Sequence, residues 1–301
     1  KNSKIAMPSF YDSLSRNSMQ PIRNRLFWLY IVFAITSLYI MTLSVRNIIF
    51  NRDHIDDFYV SEVKNVPTII IVTPTNNRLN RKADLTRLSQ TLSHLKNIHW
   101  IVVEDGNMTS PLVEAILKRS RLSYHYSHAV TEQGMPKKGW SHRNLALQLI
   151  RENHKTYKNG AVVFFADDDN SYDIRLFDKY IRQVKRLGFW AVGLVGGAIV
   201  EAPRVQNNVI VGWDVVYCPE REFATDMAGF ALNLNEIVRA QNASFGRHCI
   251  DKAPEDCFIK QFGIKKEEAE PFGYDEDPKE VLVWHTKTLN PPLKGSAHGY
   301  T

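Results

Sequence analysis

Hydrophobic positions in this chain fall into one long run and several short ones. Between Leu26 and Val45 no residue is charged; Arg23 and Arg25 stand before the run and Arg46 after it. At about 1.5 Å per helical residue the run would extend roughly 30 Å, the thickness of a bilayer's hydrocarbon core. A signal peptide would have a shorter apolar region and a small-residue cleavage site, and a soluble helix is rarely apolar on every face. The pattern predicts an uncleaved anchor at 26–45, a cytosolic basic tail at 1–25, and translocation of everything after Arg46. Residues 46–66, polar with scattered hydrophobes, read as a stem.

From Pro67 the runs become short and regular. Thr68-Ile69-Ile70-Ile71-Val72 reads as a strand ending in Thr73-Pro74-Thr75, and Leu85, Leu88, Leu92 and Leu95 predict a helix from about Lys82 to Lys96. Trp100-Ile101-Val102-Val103 ends in Glu104-Asp105-Gly106, and a third strand at 161–166 runs into Asp167-Asp168-Asp169-Asn170. Continuously apolar strands belong to a buried parallel α/β sheet, whose ligands lie beyond the strands' carboxyl ends. A right-handed βαβ arrangement would gather Thr75, Asp105 and Asp167 to Asp169 along one edge, a nucleotide cleft.

Three adjacent carboxylates at the mouth of an apolar core repel one another, so either their protons are held more tightly or a divalent cation neutralises them. In an extended chain Asp167 and Asp169 share one face and Asp168 takes the other, so at most two reach one ion. Gly193-Leu194-Val195-Gly196-Gly197 is spaced too loosely for a dinucleotide fingerprint or a P-loop, and reads as backbone packed tightly on backbone.

Composition adds limits. The net charge of +6 sits mostly in the tail, where Lys1, Lys4, Arg16, Arg23 and Arg25 face Asp12 alone. The remainder is nearly balanced, which leaves no footprint for nucleic acid. Cys218, Cys249 and Cys257 permit one disulfide and one thiol, or none, and have no metal-ligand spacing. Sequons at Asn107 and Asn242 agree with secretory exposure.

From Pro67 to Thr288 the chain resembles the β-1,3-glucuronyltransferases. The likeness is carried by Val72-Thr73-Pro74-Thr75 with Arg78, the stretch Leu85 to Leu92, Val103-Glu104-Asp105, Arg143-Asn144, Phe165 to Asn170, Val192 to Gly197, Asp226 to Ala231, and Val283-Trp284-His285-Thr286. The resemblance implies a GT-A-type Rossmann-like fold, with a donor half at about 67–192 and an acceptor half at 193–301. It further implies a single-pass type II Golgi enzyme that moves glucuronic acid from UDP-glucuronate to a terminal galactose with inversion, using Mn2+, in a homodimer. Carried over by position, Asp105 holds uracil, Arg143 the donor, Asp167 and Asp168 the ribose and sugar, Asp169 the metal, and His285 the diphosphate. Glu255 becomes the catalytic base, and Glu201, Arg221 and Asp226 grip the galactose.

Departures from the family pattern are local. Asn76 stands where an aromatic residue packs on uracil, Lys138 and Lys287 replace donor-side arginines, and Tyr217 replaces a tryptophan against the acceptor sugar. Past Thr288 the chain continues only from 289 to 301, shorter than the arm that usually reaches a neighbouring subunit, and the loop Thr131 to Lys138 is short. A member relaxed toward other acceptors or UDP-sugars, and a membrane-anchored binding protein without turnover, are the competing readings. A phosphohydrolase would need a nucleophile or second metal cluster that the sequence does not offer.

Overall fold

The computed structural model describes residues 27–29, 31–42, 66–250, 253–286 and 288. They belong to two units, one within Lys1–Glu62 and one within Val63–Thr301. In the first, 27–29 and 31–42 are helical and largely exposed. No helix among the described residues is long and apolar enough to cross a membrane. The expected span 26–45 lies partly outside the described residues, and the tail 1–25 and almost all of the stem lie wholly outside them.

The second unit is built on a seven-stranded sheet. Its first strand, β1 (Thr68–Asn76), leads through α1 (Arg81–Leu92) to β2 (Ile98–Asp105), and α2 (Pro111–Ser120) leads on to β3 (Ser123–Ala129). Helix α3 (Trp140–Asn153) then carries the chain back across the sheet to β4 (Ala161–Phe165), which pairs parallel to the other side of β1. β5 (Ser171–Tyr172), α4 (Arg175–Lys179), β6 (Leu187–Phe189), β7 (Val192–Val195), β8 (Ala198–Gln206) and β9 (Val209–Asp214) follow. β10 (Phe230–Asn233), α5 (Leu234–Arg239), α6 (Pro254–Lys260), β11 (Glu270–Pro271) and β12 (Val283–Trp284) complete it. The strand order is β11-β6-β10-β4-β1-β2-β3, and a second sheet of five strands runs β5-β12-β7-β8-β9.

Alternation along β1 explains the layers. Ile69 and Ile71 join Leu85, Leu88, Leu92 and Val113 on the face covered by α1 and α2. Ile70 and Val72 join Leu147, Ile150 and Phe258 on the face covered by α3, α5 and α6. Because the chain leaves β1 toward β2 on one side and returns to β4 on the other, a crevice opens where β1 and β4 end, the usual ligand position in an open parallel sheet. The segments 67–192 and 193–301, expected as donor and acceptor halves, interleave here, since β10 pairs antiparallel with both β4 and β6.

Two sequence expectations are corrected. α1 stops at Leu92 rather than near Lys96: Ser93 sends its amide and its hydroxyl to the Ser89 carbonyl at 3.0 and 2.7 Å, and Asn97 takes a positive φ of 49°. In the glycine-rich segment the missing Cβ atoms make room for side chains, beyond the backbone pairing of β7 with β8 and β12. A Cβ at Gly193 would collide with the Trp284 indole, and one at Gly196, where φ is +61°, with the Glu201 carboxylate.

Candidate active site

The crevice beyond β1, β2 and β4 is a polar cleft of about 280 Å³, lined by Thr75, Asn76, Arg78, Asp105, Lys137, Lys138, Gly139, His142, Arg143, Asp167, Asp168, Asp169 and His285. The three aspartates leave the strand before they can alternate: β4 ends at Phe165, and Asp168 and Asp169 lie in a turn. Each therefore meets a different environment, which replaces the two-faced geometry expected for an extended chain.

Asp167 is ion-paired with Arg143, whose Nη1 also donates to the Lys138 carbonyl at 2.8 Å. Arg143 can approach because α3 begins at Gly139, where φ is +76° and a Cβ would stand 2.8 Å from Pro74 and 3.0 Å from the Arg143 guanidinium. Asp168 is buried and accepts both arms of Arg78, at 2.8 and 2.9 Å, together with the Thr75 hydroxyl at 2.7 Å. Burial raises its pKa, and Arg78 works against the rise. Arg78 also reaches Asp84, so one guanidinium serves two buried carboxylates. Asp168, expected at the ribose or sugar, thus spends its oxygens on Arg78 and Thr75.

Asp169 is held differently. Its backbone carbonyl accepts from Arg87 at 2.9 Å and from Thr286 at 2.7 Å, while its carboxylate accepts no hydrogen bond among the described residues. Burial and the neighbouring Asp167 and Asp168 raise its pKa, opposed by Arg78 and His285. An uncommitted carboxylate whose charge is disfavoured fits a hard divalent cation, which would remove that cost. Asp105, at the end of β2, accepts the Thr131 amide at 3.1 Å and its hydroxyl at 2.9 Å, with His142 3.5 Å away. Desolvation would raise its pKa, yet the Thr131 bonds and His142 bring it below the ordinary carboxylate value.

His285 joins the acceptor side to the cleft. Its Nδ1 lies 3.3 Å from Asp226, whose hydrogen bond raises the imidazole pKa against the effect of burial, and Asp167 and Asp169 add to the rise. Asp226 also caps the short turn Met227–Gly229 through the Ala228 amide at 3.0 Å. Glu201, on β8, is 4% exposed, and its Oε1 has no partner. Burial raises its pKa while Arg221 lowers it. Arg221 itself is turned inward on its loop, donating to the carbonyls of Tyr217, Cys218 and Thr225 with its guanidinium 5.2 Å from the Tyr217 ring. The loop it braces presents Tyr217, 54% exposed, and the Arg221 charge also acts on Glu201 and Glu255.

Glu255 opens the first turn of α6, directly after Pro254. It is half-buried, and no other side chain bonds its carboxylate among the described residues. Desolvation, then repulsion from Asp226, lifts its pKa to about 7, with Arg221 and Arg143 pulling the other way. A carboxylate poised there at neutral pH is suited to take a proton.

The structure brings Asp105, Lys138, Arg143, Asp167, Asp168, Asp169 and His285 to one cleft and sets Glu201, Asp226 and Glu255 beside it through the Asp226–His285 contact. Lys287 lies outside the described residues. Asn107 and Asn242 are exposed, and Cys249 pairs with Cys257, leaving Cys218 free. Sequence reasoning gave no role to Arg78, Lys137 or His142. For Arg78 a signal was present: an acid run at a strand end requires a buried cation from the facing strand end, and Arg78 follows β1 closely.

A polar cleft at the sheet's switch point, with an uncommitted acid among cations and a second acid poised near neutrality, defines an enzyme that transfers a group from an anionic donor. The family description "Glycosyltransferase family 43" matches residues 88–289. The chain is 39% identical over 241 residues to the galactosylgalactosylxylosylprotein 3-beta-glucuronosyltransferase sqv-8 of Caenorhabditis elegans, covering 76% of this chain and 67% of that one. It is 38% identical over 240 residues to galactosylgalactosylxylosylprotein 3-beta-glucuronosyltransferase 1 of Homo sapiens, covering 76% and 71%. Among solved structures, S. aureus TarS 1-349 in complex with UDP-GlcNAc matches at a TM-score of 0.46 and 14% identity over 74% of this chain and 60% of that one, too remote to carry an argument. The chain belongs to glycosyltransferase family 43.

Proposed function

We propose that this glycosyltransferase moves glucuronic acid from UDP-glucuronate to the 3-hydroxyl of a terminal galactose with inversion, forming GlcA-β-1,3-Gal in proteoglycan-linker or glycoprotein glycans. The observation that carries it is Glu255, raised to about 7 and uncommitted, beside a polar cleft that holds both aspartates and basic side chains. Glu255 takes the proton of the acceptor hydroxyl as that oxygen forms its bond to the anomeric carbon. The bond from that carbon to UDP breaks, its electron pair leaves with the diphosphate, and His285 and Lys138 stabilise the charge. Asp169 would hold a divalent cation, proposed as Mn2+, which when bound supplies further charge for the departing diphosphate. Glu201 and Asp226 orient the galactose, with Tyr217 against its face.

The same reading places the enzyme in the Golgi membrane as a single-pass type II homodimer. The uncharged stretch 26–45, the Cys249–Cys257 disulfide and the exposed sequons support an oxidising lumen. Asn76, at the position of the expected stacking aromatic, accepts from Arg78 at 3.4 Å instead, which favours a second reading with looser donor choice.

The test is acceptor-dependent UDP release from UDP-glucuronate, UDP-glucose, UDP-galactose and UDP-xylose, with linker and lactosamine acceptors, with and without EDTA. Release confined to UDP-glucuronate, sensitive to EDTA and lost in Glu255→Gln is expected. Turnover with several donors would establish the looser reading, and metal-dependent UDP binding without turnover would sink both. Cell fractionation with glycosidase digestion, and sedimentation of the detergent-solubilised chain, check placement and dimerisation.

A further inference from the structure

Helix α6 is a weak element to carry a catalytic group. It has seven residues, far below the length that holds a helix in water on its own. Its N-cap is Ala253, whose side chain cannot accept from the first turn, so the end bearing Glu255 is the uncapped end. Three contacts from outside the helix fix it. Phe258 stacks on Phe245 at 4.2 Å and meets Phe165, the last residue of β4, edge-on at 5.7 Å. Asp256 accepts the Phe223 amide at 2.9 Å. The third is covalent: Cys257 is bonded to Cys249, fully buried in the short turn Arg247–Cys249, and the ring so closed contains Glu255.

We propose that the Cys249–Cys257 disulfide positions the catalytic base, holding the uncapped first turn of α6 so that Glu255 stays directed at the acceptor. This rests on the reading of Glu255 given above. Among the described residues, Asp226, Arg221, Arg143 and Tyr217 are charged or titratable groups that act on Glu255, and they come from the neighbouring loop and from α3. When the tether opens, the first turn frays, Glu255 gains water and loses its aim, and the Asp226 contribution weakens with distance. The donor cleft is built on the ends of β1, β2 and β4 and the start of α3, so UDP binding does not depend on the bond.

The test uses the full chain in three forms: oxidised wild type, the double variant Cys249→Ser/Cys257→Ser, and wild type treated with a water-soluble phosphine. In the last, the phosphine gives two electrons to the S–S bond, water supplies two protons and an oxygen, and two thiols and the phosphine oxide result. Turnover, acceptor KM, the pH dependence of kcat and metal-dependent UDP affinity are measured on each. The expected result is a kcat lower by about 10- to 100-fold. The acidic limb of its pH profile moves to lower pH, UDP affinity is unchanged, and activity returns when the treated enzyme is reoxidised. Open forms with the kcat and acidic limb of wild type would overturn the proposal. So would loss of UDP binding in step with kcat, which would make the bond a general staple of the fold. Oxidised wild type without turnover would remove the functional reading and this inference with it, an outcome distinct from both.

Discussion

In the cleft and at the start of α6 the protein takes carboxylates out of water and compensates them unequally. Asp168 is more deeply buried than Glu255, but a bidentate guanidinium and a hydroxyl meet its oxygens at 2.7 to 2.9 Å and oppose the rise in pKa that burial causes. Glu255 keeps more contact with solvent and has no such partner; Asp226 repels it, and its proton is held to about pH 7. Compensation makes an acid part of the scaffold, whereas withholding compensation makes it titrate where chemistry at neutral pH needs it. Asp169 stands between the two, with its backbone held by Arg87 and Thr286 and its carboxylate left for a ligand.

The largest test of this contrast removes the titrating acid. Glu255→Gln is expected to lower turnover by about 10²- to 10⁴-fold with UDP affinity intact, measured by acceptor-dependent UDP release beside calorimetric UDP titration. Asp169→Asn should do the reverse, abolishing the EDTA-sensitive part of UDP affinity while leaving urea unfolding nearly unchanged. Breaking the compensation at Asp168 comes next: Arg78→Ala strands a buried carboxylate and should cost about 3–5 kcal/mol in urea unfolding, much of it recovered by adding Asp168→Asn. Equal losses for the single and double variants would show that Arg78 acts by packing alone.

The smallest effect is on stability against pH. The folded Glu255 carboxyl keeps its proton to about pH 7, while the unfolded one keeps it only to the ordinary range near 4.5. Between these values the native state binds the extra proton, so wild type loses stability as pH rises through about 7. Glu255→Gln should escape that loss and be more stable than wild type at pH 8 by about 1–2 kcal/mol, allowing for the side chain's remaining contact with water. Parallel stability curves from pH 5 to 8 would contradict the raised pKa. In the active enzyme the same ionisation makes kcat rise through about pH 7.

Residues 67–192, expected as the donor half, were the more legible in sequence. β1, β2 and β4 announce themselves as β-branched runs that end in polar residues, and parallel pairing then brings those ends together without further information. The acceptor half lacks such signals. Along β8 and β9 the alternation is broken by a bulge between Arg204 and Val205, and exposed Ile199 and Val200 blur the faces. The fate of the aspartate run was hidden as well, because it depends on a turn after Phe165 and on cations distant in the chain. Glu255 carried no signal of its own beyond a first-turn acid after proline; its desolvation comes from packing that only the tertiary structure supplies.

β12 has a consequence for how the enzyme is made. It lies between β5 and β7, and the His285 amide that follows it donates to the Gly193 carbonyl at 2.9 Å. During synthesis the parallel strands emerge early and can assemble with local crossovers, but the imidazole of the cleft arrives only after about a hundred further residues have been made and the chain has doubled back. Catalytic competence therefore comes later than the parallel core. A polypeptide released a few codons before residue 285 would keep the parallel core and lack the imidazole to which the proposed reaction gives the diphosphate.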